Sequence, residues 1–136
     1  MADTLQLRLV TPQREVLDET VAMVTAEGTL GQFGVLPQHI AFVTSLEPGI
    51  LTAKTTSGAE EKLAVKGGFA EVRDDVVTIL ADDVVAKGEI DATTARAKLE
   101  AAERALAEAP YGHTEHEARI VEKRWAEILV AFVSSN

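Results

Sequence analysis

Three histidines and two acidic pairs are the residues of this chain with types suited to chemistry. His113 and His116 stand three apart, interleaved with Glu115 and Glu117. Residues three apart on a helix share a face, so two imidazoles can meet one ion. The same positions fall where a loop becomes a helix, and polar residues belong there for local reasons, so no metal site is expected. Asp74-Asp75 and Asp82-Asp83 are adjacent carboxylates. Acid–base pairs need carboxylates converging in a cleft with split pKa values, whereas neighbours on a strand point to opposite faces. They read as turn or strand-end acids. His39 has no Ser, Cys or second titratable group beside it in sequence to complete a relay. Gly31, Gly34, Gly67 and Gly68 lack the Gly-Lys-Ser/Thr and Gly-x-Gly-x-x-Gly contexts of a phosphate cradle and read as tight turns needing positive φ. No catalytic residue is expected.

Two further constellations point to binding. Gly31-Gln32-Phe33-Gly34-Val35-Leu36-Pro37-Gln38-His39 reads as a glycine-punctuated loop with an apolar tip. Contiguous apolar loop residues mark partner surfaces; the competing reading is that Val35, Leu36 and Pro37 tuck into the core. Arg119, Lys123 and Arg124 form a basic stripe at i, i+4 and i+5. It serves either surface pairing with Glu115, Glu122 and Glu127 or docking onto an acidic partner segment.

The elements that must position these residues fall into two halves, 1–88 and 89–136. In the first half Leu5, Leu7 and Leu9 alternate with Gln6 and Arg8, the period of a half-buried strand. Val77, Ile79 and Ala81 alternate with Thr78 and Leu80 in what reads as a more fully buried strand. Turn signals recur at Thr11-Pro12, Glu27-Gly28, Pro48-Gly49, Ser57-Gly58, Gly67-Gly68 and Asp74-Asp75. Pro48-Gly49 suits a type II turn. Many short strands at such spacing predict an antiparallel β-sandwich or barrel.

After Gly88 the period changes. Ala92, Ala95, Leu99, Ala102, Leu106 and Ala109 step by 3, 4, 3, 4 and 3, behind Asp91 as N-cap. Pro110-Tyr111-Gly112 interrupts. Thr114, with Glu117 three residues on, has capping-box spacing, and Ala118, Val121, Trp125, Ile128 and Phe132 continue the stepping. Two matched seams on a short loop predict an antiparallel two-helix hairpin. One seam is mostly alanine, and a buried Ala methyl stabilises far less than the roughly 1.5–3 kcal/mol of a full Leu or Phe. The hairpin is therefore expected to be marginal by itself and able to open.

The formal net charge is −9, with 7 basic and 13 acidic residues in 1–88 and 6 and 9 in 89–136. Both halves are acidic, which argues against nucleic acid and against an anionic membrane surface. There is no cysteine, so disulfides and Cys-based zinc sites are excluded. No apolar run approaches the ~20 residues of a membrane span. Met1-Ala2-Asp3-Thr4 shows no targeting segment, and the expectation is a protein of the cytosolic side.

In order and spacing, the motifs resemble the epsilon subunit of bacterial F-type ATP synthase over nearly the whole length. They are Leu9-Val10-Thr11-Pro12, Gly31 through His39, Leu46 to Gly49, Gly67-Gly68-Phe69-Ala70-Glu71-Val72 and Val77 to Asp82, then an Ala-rich hairpin. The resemblance implies an N-terminal β-sandwich (1–88) that binds the gamma subunit and the c-ring, and a C-terminal helical hairpin (89–136) that regulates. It implies an interface of Gly31, Phe33, Val35, Leu36, Pro37, Gln38 and His39. It further implies that the hairpin can extend along gamma and restrain ATP hydrolysis, with Arg119, Lys123 and Arg124 docking onto the catalytic beta subunit. About 45 residues of helix span roughly 65 Å, enough for such reach. Membrane attachment would come only through the complex, on the cytoplasmic face of the bacterial plasma membrane.

Two departures stand out. The family's loop commonly reads Pro-Gly-His-Ala-Pro, and here it is Pro37-Gln38-His39-Ile40-Ala41. Members that bind ATP carry Ile/Leu-Asp-x-x-Arg-Ala. Here Thr94 holds the arginine position, and Arg96 falls two residues later, about 200° around the helix. An ATP site would have to use Ile90, Asp91, Arg96 and Arg104. No cofactor is expected, with ATP only as a regulatory ligand. The alternatives are a stand-alone nucleotide sensor whose hairpin closes on ATP, and a small metal hydrolase using His39, His113 and His116.

Overall fold

The computed structural model describes residues 3–134. Met1, Ala2, Ser135 and Asn136 lie outside the described residues, and so does the expectation placed on the first two. The chain divides into two compact units, Met1–Val84 and Val85–Asn136.

The first unit is a β-sandwich. Its strands are β1 (Leu5–Val10), β2 (Glu15–Gly28), β3 (Gly31–Val35), β4 (Phe42–Leu46), β5 (Gly49–Thr55), β6 (Glu60–Val65), β7 (Gly68–Arg73) and β8 (Val76–Ala81). A short β9 (Val84–Ala86) marks the boundary between the units. The long β2 organises the whole. Residues Glu15 to Val21 pair with β1, and Val21 to Thr25 pair with β5 across a register shift between Val21 and Met23. A bulge of this kind bends a strand and sharpens its twist, which lets one strand serve both layers. The antiparallel expectation meets one exception, because β1 and β8 run parallel, Leu7 beside Val77 and Leu9 beside Ile79. Sixty-odd residues separate these strands, so no hairpin constrains their direction.

The core is the alternation read in sequence. Leu5, Leu7 and Leu9 are buried together with Val21, Val24, Leu51, Val72, Val77 and Ile79. β8 departs from the expected near-complete burial, since Leu80 is 54% exposed. It pairs with Phe69 on the outer face of the sheet, which is also exposed.

Two turns differ from their predicted chemistry. Gly49 has no positive φ, so Pro48-Gly49 is not a type II turn. The glycine is demanded by space instead, because a Cβ there would lie 2.5 Å from Glu27 Cγ. Gly34 likewise has no positive φ and sits inside a strand opposite Thr25, whereas Gly31, Gly67 and Gly68 do take positive φ.

The second unit holds α1 (Ala92–Ala107) and α2 (His116–Ser134). α1 keeps the predicted register, with Ala95 buried and Leu99, Ala102 and Leu106 half-buried. Its N-cap is Asp91, whose carboxylate accepts the Thr94 N–H at 2.7 Å. α2 departs from prediction at its start. It begins at His116, with Arg119 N–H donating to Glu115 O, so Glu115 and not Thr114 stands at the cap position. Ala118 and Val121, assigned to the seam, are exposed, and the buried set is Trp125, Ala126, Leu129 and Phe132. The first turns of α2 meet the end of α1 and the residue just past it through polar side chains, described below.

Candidate interaction site

In the sandwich unit, the stretch read as a loop is half strand. Gly31–Val35 forms β3, paired with the end of β2 from Val24↔Val35 to Gly28↔Gly31. Val35 is fully buried. It belongs to the core and is removed from the interface set, because a strand alternates faces and its Val24 partner points inward. The true tip is shorter. Leu36, Gln38 and Ile40 are exposed, and Pro37 and His39 are half-buried.

The tip is held by named contacts. His39 N–H donates to Leu36 O at 3.2 Å, closing the turn. Gln38 takes φ 68°, the left-handed region that glycine enters freely and other residues at a cost. Gln38, at the position where the resemblance expects glycine, thus holds a conformation that glycine takes without strain. The Gln38 N–H donates to Asp75 Oδ1 at 2.6 Å. Asp74 and Asp75 themselves form a two-residue hairpin turn with φ 51° and 61°, and Arg73 pairs with Val76 across it. The acidic pair thus builds a turn, as read, and Asp75 additionally ties that turn to the tip. The His39 ring engages Ile40 O through Nδ1 at 2.8 Å and lies 5.1 Å from the Phe42 ring, which meets Phe33 edge-on at 5.4 Å. His39 is thus an aromatic-cluster residue.

Beside the tip, a groove of about 270 Å³ opens between β3 and β4, lined among others by Leu30, Phe33, Phe42 and Val43. Leu30 is 98% exposed, Ile40 79% and Val43 67%. Leu30 and Val43 line this groove, while Leu36 and Ile40 are exposed beyond the other end of β3 from Leu30. Sequence reading passed over Leu30, Ile40 and Val43. An apolar residue between Thr29 and Gly31, at a hairpin tip, was the available signal for Leu30.

In the helical unit, the three cations of the basic stripe have different fates. Arg119 donates through Nη1 to Ala105 O at 2.6 Å and pairs with Glu115. Arg124 is exposed and Lys123 half-buried. His116 Nδ1 bonds Ala109 O at 2.7 Å, and its ring meets Tyr111 edge-on. His113 Nδ1 accepts the Glu115 N–H at 3.1 Å. Both imidazoles therefore have structural uses. Arg119 satisfies the Ala105 carbonyl, one of the last of α1 and without a partner inside the helix, and His116 meets the Ala109 carbonyl just past the helix end. Among the described residues, no group of three or more His, Cys, Asp and Glu is placed to hold a metal.

Of the residues considered for ATP, Ile90 is half-buried, and Arg96 and Arg104 are exposed on α1. The Asp91 carboxylate is occupied by its helix cap, and the Thr94 backbone N–H that it accepts holds its pKa below the usual carboxylate value. Between α1 and α2 runs a groove of about 290 Å³ lined by Ala101, Ala102, Trp125 and Ala126 and flanked by Lys98 and Glu122. Lys98, Ala101 and Glu122 on its walls are exposed, so the groove opens to solvent, while Trp125 and Ala126 at its floor are buried.

A β-sandwich with an apolar tip, followed by a helical hairpin, defines a two-unit protein of the β-then-α class. Residues 4–87 match the family model of the ATP synthase delta/epsilon chain β-sandwich domain. Curated relatives agree. The chain is 45% identical over 109 residues to the ATP synthase epsilon chain of Moorella thermoacetica, covering 80% of this chain and 81% of that one. It is 47% identical over 106 residues to that of Geobacter sulfurreducens, covering 78% and 76%. A chain of the Euglena gracilis mitochondrial ATP synthase, in an assembly with its c-ring, superposes with a TM-score of 0.83 at 28% identity, covering 98% of this chain and 83% of that one. The chain belongs to the ATP synthase delta/epsilon family and, within it, to the epsilon subunits, components of an enzyme complex. Among the described residues, no helix is long and apolar enough to cross a membrane.

Proposed function

We propose that the chain is a noncatalytic central-stalk subunit of a proton-translocating F-type ATP synthase. In this reading the sandwich couples the gamma subunit to the c-ring, and the hairpin restrains ATP hydrolysis. The assembly sits on the cytoplasmic face of a bacterial plasma membrane, and the subunit meets the membrane only through it. The observation that carries this reading is the family match over residues 4–87.

The exposed apolar side chains of Leu30 and Val43 at the groove and of Leu36 and Ile40 at the tip, with the Phe33, Phe42 and His39 rings packed between, support a protein-facing role for this part of the sandwich. The hairpin's alanine face and the groove beside Trp125 support a unit with two states a few kcal/mol apart. Arg124, Lys123 and Arg119 are the cations for an acidic segment of the catalytic beta subunit. Arg119 joins them only after leaving Ala105.

The test is the ATP hydrolysis rate of the reconstituted complex with the full chain and with a chain ending at Gly88. A rise on truncation is expected. An unchanged rate with the shortened chain still bound would sink the restraint. The proposal needs no cofactor. Tight ATP binding by the isolated chain would favour the nucleotide-sensor alternative.

A further inference from the structure

We propose that Lys87 is a clasp that closes the open end of the hairpin, and that its release is a step in extending it. This rests on the reading of the hairpin as a restraint. Lys87 precedes α1 by five residues, and Phe132 lies in the last turn of α2. The Lys87 Nζ donates to the Phe132 backbone carbonyl and sits 4.3 Å from the centroid of the Phe132 ring. That carbonyl is one of the last four of α2, which have no acceptor role inside the helix. The negative end of the helix favours a cation there, and the ring face adds a cation–π attraction. α2 has no basic residue of its own in its last turn. Lys87 supplies that charge from 45 positions away in sequence.

This contact exists only when the helices are antiparallel. Straightening the unit would place about 50 Å of helix, at 1.5 Å per residue, between the two groups. The contact therefore stabilises the closed hairpin alone and biases its equilibrium against extension. It also keeps Phe132, 2% exposed in the closed state, out of water. Arg119 and His116 hold the opposite end of the hairpin through Ala105 and Ala109. The alanines of α1 contribute little burial themselves, so the polar contacts at the two ends add to the burial of Trp125, Leu129 and Phe132 in keeping the hairpin shut.

The experiment compares the full-length chain with its Lys87→Gln and Lys87→Arg variants. Amide exchange at Leu129 to Val133 is expected to rise on the order of five- to tenfold in Lys87→Gln and to return towards the wild-type rate in Lys87→Arg, which keeps the charge and the ring contact. Sandwich amides at Leu7 and Ile79 report that the fold is intact. Unchanged exchange at the end of α2 overturns the clasp. In the reconstituted complex, Lys87→Gln is expected to lower ATP hydrolysis about twofold or more as extension becomes easier. If truncation at Gly88 changes the rate but Lys87→Gln does not, the clasp has no regulatory role while the restraint stands. If truncation itself changes nothing, the restraint fails, and the regulatory part of the clasp fails with it.

Discussion

The two units of this chain are held together by different physics. In the sandwich, Leu5, Leu7, Leu9, Val21, Val24, Leu51, Val77 and Ile79 are buried almost completely, and strand pairing runs through every layer. In the hairpin, Ala95 is the buried residue of α1 itself. Beside the buried Trp125, Leu129 and Phe132 of α2, contacts from Arg119, His116 and Lys87 to carbonyls at or just past helix ends join the two helices. Apolar burial is non-directional and spread over many side chains, so no single polar event undoes the sandwich. A directional contact to a carbonyl is made or broken as a unit. In the proposed function the first unit is the scaffold and the second the releasable element.

The contrast predicts unequal sensitivity to substitution. Leu7→Ala in the sandwich removes a fully buried side chain beneath both β2 and β8, and is expected to cost about 2–5 kcal/mol. Denaturant unfolding of the full chain measures it, and a loss under about 1 kcal/mol would mean the sandwich core collapses around the cavity.

Arg119→Met keeps the stem and removes the bond to Ala105 and the ion pair with Glu115. Arg119 is 29% exposed, so solvent screens part of the interaction and a loss near 1 kcal/mol is expected, confined to the hairpin. Exchange at the last turn of α1 should quicken while the sandwich amides hold. Equal acceleration in both units would erase the distinction drawn above.

The smallest effect is expected within the sandwich. Glu19 on β2 has a buried Oε1 without a hydrogen-bond partner, and burial first, then the facing Glu61 carboxyl, raises its pKa above the ordinary 4.5. The folded state holds this proton more tightly than the unfolded chain does. The resulting stability is complete below 4.5 and is lost as pH rises through the raised folded value. Glu19→Gln removes that loss. At neutral pH it should stabilise the chain by less than about 1 kcal/mol, because the pair is partly solvated. Melting temperatures of the two chains should converge towards acid pH and separate above it. Parallel curves would show that folding does not raise the Glu19 pKa.

Much of this was legible residue by residue. The period-2 run of Leu5, Leu7 and Leu9, the 3-4 stepping from Ala92 and the Asp91 cap each depend on near neighbours in the chain, and each was found where read. Asp74-Asp75 read as a turn for the same reason. What was misread depended on partners far away. Val35 belongs to the core because β2 lies beside it. Leu80 is exposed because its face of β8 is the outer one. In the first turns of α2, where Ala118 and Val121 were read as seam, Arg119 meets a carbonyl on α1 and His116 one just past its end.

The sequence by itself determined the division into a strand-periodic and a helix-periodic half, the scarcity of apolar burial on the first helix, and the family through its ordered motifs. These follow from short-range periodicity and composition, which a linear string records directly. Only the tertiary structure decided which apolar residues stay exposed, that Asp75 braces Gln38, and that Lys87 meets Phe132. The last two contacts join residues 37 and 45 positions apart, and pairings at that distance are set by sheet closure and helix reversal, which local pattern does not encode.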